Sequence, residues 1–555
     1  MVESLNTSIA QLYRSTKASP RRMAVALLVI LFFVIALTVL GIQFIITRNS
    51  PLALVNLLGL MLIPILLIGA ALWLTTTWRR TQMDIARLNA AQAMVESYFD
   101  RLTDLLLNHN LSQVTSDNEV AGVARAHTLT TLRNLNGERR GQVVRFLYES
   151  ALLNAGEPII DLQAAELGGM TMSQIPMPGI NLRNVDLRSA RLLGVSLSAS
   201  DLRDSNLEGA DLSRSDLSES YVRGAVLRNA VLNDANLRGA IFTKADLAGA
   251  NLSGADFSDA NLSGADLSGA NLAGANMRSA KLVGAILTGA ILDGANISLA
   301  NLNKANLSGV NADGTNFSGA NLASATLVGA KLGNAQLGGA ILSEADLTDV
   351  EMRDANLNLA NLRGATMNQA VLVGSSLADA IMGRVSLSGA DLSNCDLSRA
   401  NLSIANLSRA ILNRAFLEEA GLSGADLRAA QLRGANLRGA ILRGAILSDA
   451  DLSRTDLTRA NLRWANLHNV NLTGADLTDV DLTDTEVAPQ TLAKARSVTR
   501  VERADVSRFT STPDVIPPTQ SGSLSSPRPP KYERPGTENI GKAAVIVESD
   551  AESDA

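Results

Sequence analysis

The chain has 555 residues, only 3% of them aromatic, with one cysteine and a formal charge of −5 at pH 7. A single cysteine excludes an internal disulfide and suits a reducing compartment. The three histidines, His109, His127 and His468, are too scattered in sequence for a metal site.

Residues 1–22 are polar and carry Arg14, Lys17, Arg21 and Arg22. Two uncharged runs follow, 23–46 and 51–74, each long enough as a helix to cross a hydrocarbon core of about 30 Å. The first is longer than a signal-peptide core, so an uncleaved helix is expected. Together they predict a transmembrane hairpin within 23–78. Four cations precede it, Arg79, Arg80 and Arg87 follow it, and the loop holds only Arg48. That asymmetry places both termini in the cytoplasm, with Trp73 and Trp78 at the exit interface. Gln43, Asn56 and Pro64 are too few to line a pore, so the hairpin reads as an anchor that contacts membrane lipids.

Residues 79–157 read as a helical juxtamembrane module. Leu88, Ala91, Val95, Tyr98, Leu102 and Leu105 form one apolar helical stripe, too short to decide between a coiled-coil dimer and an internal packing face. Ser116-Asp117-Asn118-Glu119 has the form of a capping box opening a helix to about Leu135, with Gly137 as its stop. A third helix is expected over 142–153. Arg125, Arg133, Arg139, Arg140 and Arg145 either meet anionic headgroups or form a solvated face paired with Glu138 and Glu149, and the solvated face is the preferred reading.

From Leu162 to Leu482 one residue returns every five positions, 65 times without an insertion, and 53 of these centres are Leu. A five-residue step turns an α-helix by about 140°, which spreads the leucines around its circumference. In an uninterrupted strand the odd step alternates them between faces. A short extended segment and a turn in every repeat resolve both conflicts, because the small residue two before each centre then points inward with it. Asp or Asn before the centre and Gly, Ser or Arg after it supply the turn. Such units bury their leucines only by stacking as a solenoid. Ala312 is the weakest centre, with Phe317 expected to fill part of its space, and Cys395 falls on a small inward position, which reads as a buried thiol.

This phrase, as in Ala260-Asn261-Leu262-Ser263-Gly264, resembles the A(D/N)LxX motif of the pentapeptide-repeat family over more than half of the chain. The resemblance implies an all-β solenoid, a right-handed quadrilateral β-helix with four repeats per coil, here over residues 158–487. At about 4.8 Å per coil the rod would be roughly 75 to 80 Å long. Through Leu107 to Leu111 and Asn136-Gly137-Glu138-Arg139-Arg140-Gly141 to Arg145-Phe146-Leu147, residues 79–157 resemble the helical module that precedes the repeats in membrane-anchored members from cyanobacteria, which implies a plasma or thylakoid membrane. A capping helix is expected over 488–507, beginning at Pro489. A disordered Pro-rich and acidic tail is expected over 508–555.

The periodic Asp residues read as turn and ladder residues rather than acid–base pairs, and no phosphate-cradling glycine loop occurs. No catalytic residue, metal site or cofactor is predicted. Arg428, Arg433, Arg438 and Arg443 fall one per face in four successive repeats as a basic collar for an acidic partner, although solvated side chains are the preferred reading. Trp464 replaces the usual Gly and is the candidate aromatic contact. The family resemblance also implies an alternative, a DNA mimic that binds type II topoisomerases. Residues 161–487 carry 26 Lys plus Arg against 35 Asp plus Glu, a net of −9, whereas about 80 Å of duplex carries roughly 47 negative charges. The expected function is therefore a non-enzymatic membrane-anchored scaffold for an unidentified protein partner, with nucleic acid disfavoured and self-association through the rod or the helical module left open.

Overall fold

The computed structural model describes residues 35, 36, 38, 39, 41, 42, 52–154 and 156–497. Most of the first apolar run, the 498–507 end of the expected capping helix, and the tail 508–555 lie outside the described residues. Among the described residues, no helix is long and apolar enough to cross a membrane.

Helix α1 (Leu52–Asn108) is one continuous helix of 57 residues, about 86 Å at 1.5 Å per residue. The boundary expected at residues 78 and 79 is therefore not a structural break. No Gly or Pro interrupts 71–108, and the Thr77 and Thr81 hydroxyls donate back to the carbonyls of Trp73 and Thr77 at 2.7 and 2.9 Å. The apolar stripe divides: Val95, Tyr98 and Leu102 are buried, whereas Leu88 is 50% exposed.

A 3₁₀ turn (Leu111–Gln113) leads to α2 (Glu119–Arg133) and α3 (Gly137–Glu149). The N-cap of α2 is Asn118, whose side chain accepts from the Val120 N–H, two residues later than the expected Ser116. Gly137 opens α3 instead of stopping α2, and α3 starts five residues before the expected 142. Its reason is proximity to the solenoid: a Cβ there would lie 1.9 Å from the Gly169 carbonyl oxygen, and one at Gly141 2.5 Å from that of Thr171.

The module arginines meet the first coils or their own module. Arg125 donates to the carbonyls of Asp161 and Gln163 at 2.7 and 3.0 Å, and Arg140 to those of Leu132 and Gly168 at 3.0 and 2.5 Å. Arg139 donates to the Leu88 carbonyl, Arg133 faces Glu166 at 3.4 Å, and Arg145 pairs with Glu149 at 2.7 Å. Of the expected ion pairs only the last is formed among the described residues.

The solenoid follows from five N–H groups per repeat. In the phrase beginning at Ala260, Asn261 N–H donates back one coil to the Ala240 carbonyl, while Leu262 and Gly264 donate forward to Lys281 and Val283. Ala265 closes the turn onto the Leu262 carbonyl. The fifth donor, Ser263 N–H, is met at 3.1 Å by the Asn261 side chain, as is the Ser263 hydroxyl at 2.7 Å. Where Asn or Asp precedes the centre, its side chain thus completes the backbone pairing of the turn; at the other centres, such as those after Ile341 and Gly421, no such acceptor is present. Short parallel strands β1 (Thr171–Ser173) and β2 (Arg191–Leu193) pair, and single-residue parallel bridges continue from i to i+20 up to Asn466 with Glu486. Four repeats therefore make one coil.

Inside, the Leu centres and the small residues two before them form one buried cluster. Each Leu contributes on the order of 2 kcal/mol. Ala312 and its coil neighbours Leu292, Leu332 and Phe317 are all fully buried. At the far end the expected helix is a single turn, α4 (Pro489–Leu492), with Leu492 only partly buried. The chain then lies along the last coil: Gly474 N–H donates to Lys494 O, Arg496 N–H to Ala475 O, and Leu477 N–H to Ser497 O. An open coil edge of unpaired backbone groups favours this strand-like strap over further helix.

Candidate docking surface

Each solenoid face presents three outward positions per coil: the residue before the centre and the two after it. Arg428, Arg433, Arg438 and Arg443 all follow a centre, so the four-repeat coil puts one on each face. The structure does not bring them together as four free cations. Arg428 forks onto Asp426 through Nε to Oδ1 at 2.9 Å and Nη2 to Oδ2 at 2.5 Å. That guanidinium holds the Asp426 carboxyl below its usual range, and the carboxylate raises Arg428 in turn. Arg438 faces Glu418 at 3.9 Å. Arg433 anchors through its backbone N–H to Asn413 Oδ1 at 3.0 Å.

Arg443 belongs with Trp464 on the adjacent coil. Its guanidinium lies 4.0 Å from the indole centroid, Arg463 lies 5.2 Å from it, and the indole N–H donates to Asp484 Oδ2 at 3.0 Å. Trp464 is held in the left-handed backbone region at φ 58° and remains 47% exposed. An exposed indole fixed by two guanidinium groups and a carboxylate loses little freedom when a partner covers it, which suits an interface anchor. Arg463 and Asp484 escaped the sequence reading, although their signal was present: Arg463 stands one coil after Arg443, and Asp484 one coil after Trp464.

Cys395 is buried, donates to the Leu372 carbonyl, and burial pushes its thiol up to about 12. His127 stacks on Tyr98 at 5.5 Å, and burial, then the Arg101 charge, lowers its pKa. Among the described residues no His, Cys, Asp and Glu group could hold a metal ion.

The family description "Pentapeptide repeats" matches the chain in eight copies, over residues 180–218, 223–259, 260–298, 300–338, 330–369, 367–403, 400–444 and 445–484. These copies begin at residue 180, so they lend no support to a family relation for residues 79–157. No curated protein matches the chain. Among solved structures it is similar to a pentapeptide repeat protein from the Arabidopsis thaliana thylakoid lumen, at 36% identity over 18% of this chain and 71% of that one, with a TM-score of 0.16. It is also similar to HetL, a pentapeptide repeat protein involved in heterocyst differentiation regulation in the cyanobacterium Nostoc, at 28% identity, 56% and 91% coverage and a TM-score of 0.11. QnrB1, a plasmid-mediated fluoroquinolone resistance protein, aligns at 18% identity, 33% and 89% coverage and a TM-score of 0.22. Eight matched segments spanning more than half of the chain, on a solenoid whose coil closes with every fourth repeat, show that this protein belongs to the pentapeptide-repeat family.

Proposed function

We propose that the protein is a non-enzymatic, membrane-tethered scaffold that presents a stiff β-helix to a protein partner. The observation that carries this reading is the absence of a soft joint between the helices and the rod. Helix α1 runs unbroken from Leu52 into the module, and the module is hydrogen-bonded to the first coils through Arg125, Arg140 and Tyr148. A tether at residues 23–78 would then hold the solenoid at a fixed stand-off from the bilayer. The uncharged runs and the basic residues flanking them support the hairpin and cytoplasmic termini.

Alkaline carbonate extraction and cysteine labelling test it. The full chain should stay in the membrane pellet. A cysteine replacing Asn49 should react only from the side opposite to one replacing Ser521. Release by carbonate, or labelling of both positions from one side, would refute the hairpin.

A further inference from the structure

Face positions in the coils from Ile381 to Trp464 differ from the rest of the rod, and this inference deepens the scaffold reading by naming the surface and the partner's chemistry. Ile381, Ile404, Ile441 and Trp464 share this face, at 47%, 61%, 46% and 47% exposure. Over these five coils its outward positions hold three arginines, Arg384, Arg443 and Arg463, and no carboxylate. Asp379 and Asp426 at its corners are held by Arg399 and Arg428, Glu419 is a further acidic corner, and one coil beyond Trp464 the face continues with Asp481, 4.0 Å from Arg463, and Asp484, which accepts from the indole N–H.

At its middle lies Gly421, the one glycine that precedes a centre among the 65 repeats. Neither backbone nor packing requires it, since its φ is not in the left-handed region and an added Cβ would meet nothing closer than 3.8 Å. What it removes is the Asx side chain. One coil below, Asn401 Oδ1 accepts from both the Ser403 N–H at 3.1 Å and the Ser403 hydroxyl at 2.7 Å. Ser423 keeps the same two donors, half-buried, with no acceptor among the described residues. The missing side chain leaves room for an acceptor oxygen from outside, Arg443 stands one coil above, and Ile404 and Ile441 lie beside it on the face.

We propose that this face binds an acidic, aliphatic segment of a protein partner, one carboxylate of which takes the place of the side chain missing at residue 421. The Ser423 N–H and hydroxyl donate to that carboxylate, and the partner's apolar side chains cover Ile381, Ile404, Ile441 and the Trp464 ring. The donor pair takes any acceptor oxygen, as Asn401 shows one coil below, so the arginines of the face are what select a carboxylate over its neutral amide and over a base.

The test is fluorescence anisotropy on the full chain in detergent, with a labelled ten-residue peptide of alternating Glu and Ile as probe. The peptide should bind, and its Gln/Ile and Lys/Ile versions should bind at least about tenfold more weakly. Gly421→Asn refills the slot from within and should weaken binding about tenfold, whereas Gly421→Ala leaves the slot open and should bind as the parent does. Trp464→Ala should weaken binding without changing the Glu-over-Gln preference. Equal affinity of Gly421→Asn and Gly421→Ala, or of the Glu and Gln peptides, overturns the proposal. Self-association abolished by Gly421→Asn also overturns it, in favour of a second copy. A protein that binds the peptide yet washes off membranes sinks only the tether, and one that stays membrane-bound without binding sinks only this surface.

Discussion

The two ends of the leucine interior are finished by different means. At the N-terminal end, Leu111, Val144, Leu147, Leu152 and Leu153, all at 0% exposure, belong to the same buried cluster as the first coils. Guanidinium groups on α2 and α3 are bonded to the coil carbonyls there. At the C-terminal end a single helical turn and the strap at 494–497 cover the last coil, and Leu492 and Ala495 are only partly buried. One end is built as a junction, and the other only closes an edge. The proposed tether would require the first arrangement at the N-terminal end alone.

The largest contrast should come from cutting each cover. Leu147→Ala should cost about 2 to 5 kcal/mol in urea unfolding of the full chain in detergent, and Leu492→Ala under about 1 kcal/mol. Equal costs would mean the N-terminal helices are no more than a lid. Close packing at the junction makes a second prediction: Gly141→Ala should destabilise by about 1 to 3 kcal/mol because the new Cβ meets the Thr171 carbonyl. Gly122→Ala, with nothing within 4 Å, should be neutral or stabilising by up to about 1 kcal/mol in the same unfolding experiment.

Between the ends, Asn261→Ala strips the acceptor from Ser263 and should cost about 0.5 to 1.5 kcal/mol by the same measurement. The smallest effect concerns Cys395, raised by burial from 9.0 to about 12. Folding then favours the protonated thiol, so its contribution is complete below the unfolded value and is lost as pH rises towards the folded one. The parent should lose stability relative to Cys395→Ala only above about pH 9, and iodoacetamide should leave the folded thiol unmodified at neutral pH. Rapid alkylation would show that the coils around residue 395 open.

Much of the solenoid is legible because its period is strict: the inward Leu and Ala, the buried Cys395 thiol and the turn role of Asx all lie in register. Four repeats per coil comes from family resemblance, since a single chain's five-residue period does not say when the path closes. The helices are harder to read. Charge begins near residue 79 and suggests a border, but charge does not stop a helix and no Gly or Pro stands there. Gly137 reads as a stop because its neighbour at residue 169 is distant in sequence. The one-per-face placement of the arginine collar is legible in the register, but its pairings are not, for the same kind of reason. Arg428 is held by the acid at Asp426 and Arg443 by an indole on the next coil, and the second pairing follows from where the coil closes rather than from spacing along the chain.

Hydrogen exchange on the full chain, resolved along the sequence at increasing sub-denaturing urea, tests most directly whether helices and rod form one stiff body. The amides of α2, α3 and the coils up to about residue 220 should lose protection together, at a higher urea concentration than the strap at 494–497. Helices that exchange freely while the first coils stay protected would contradict a rigid junction.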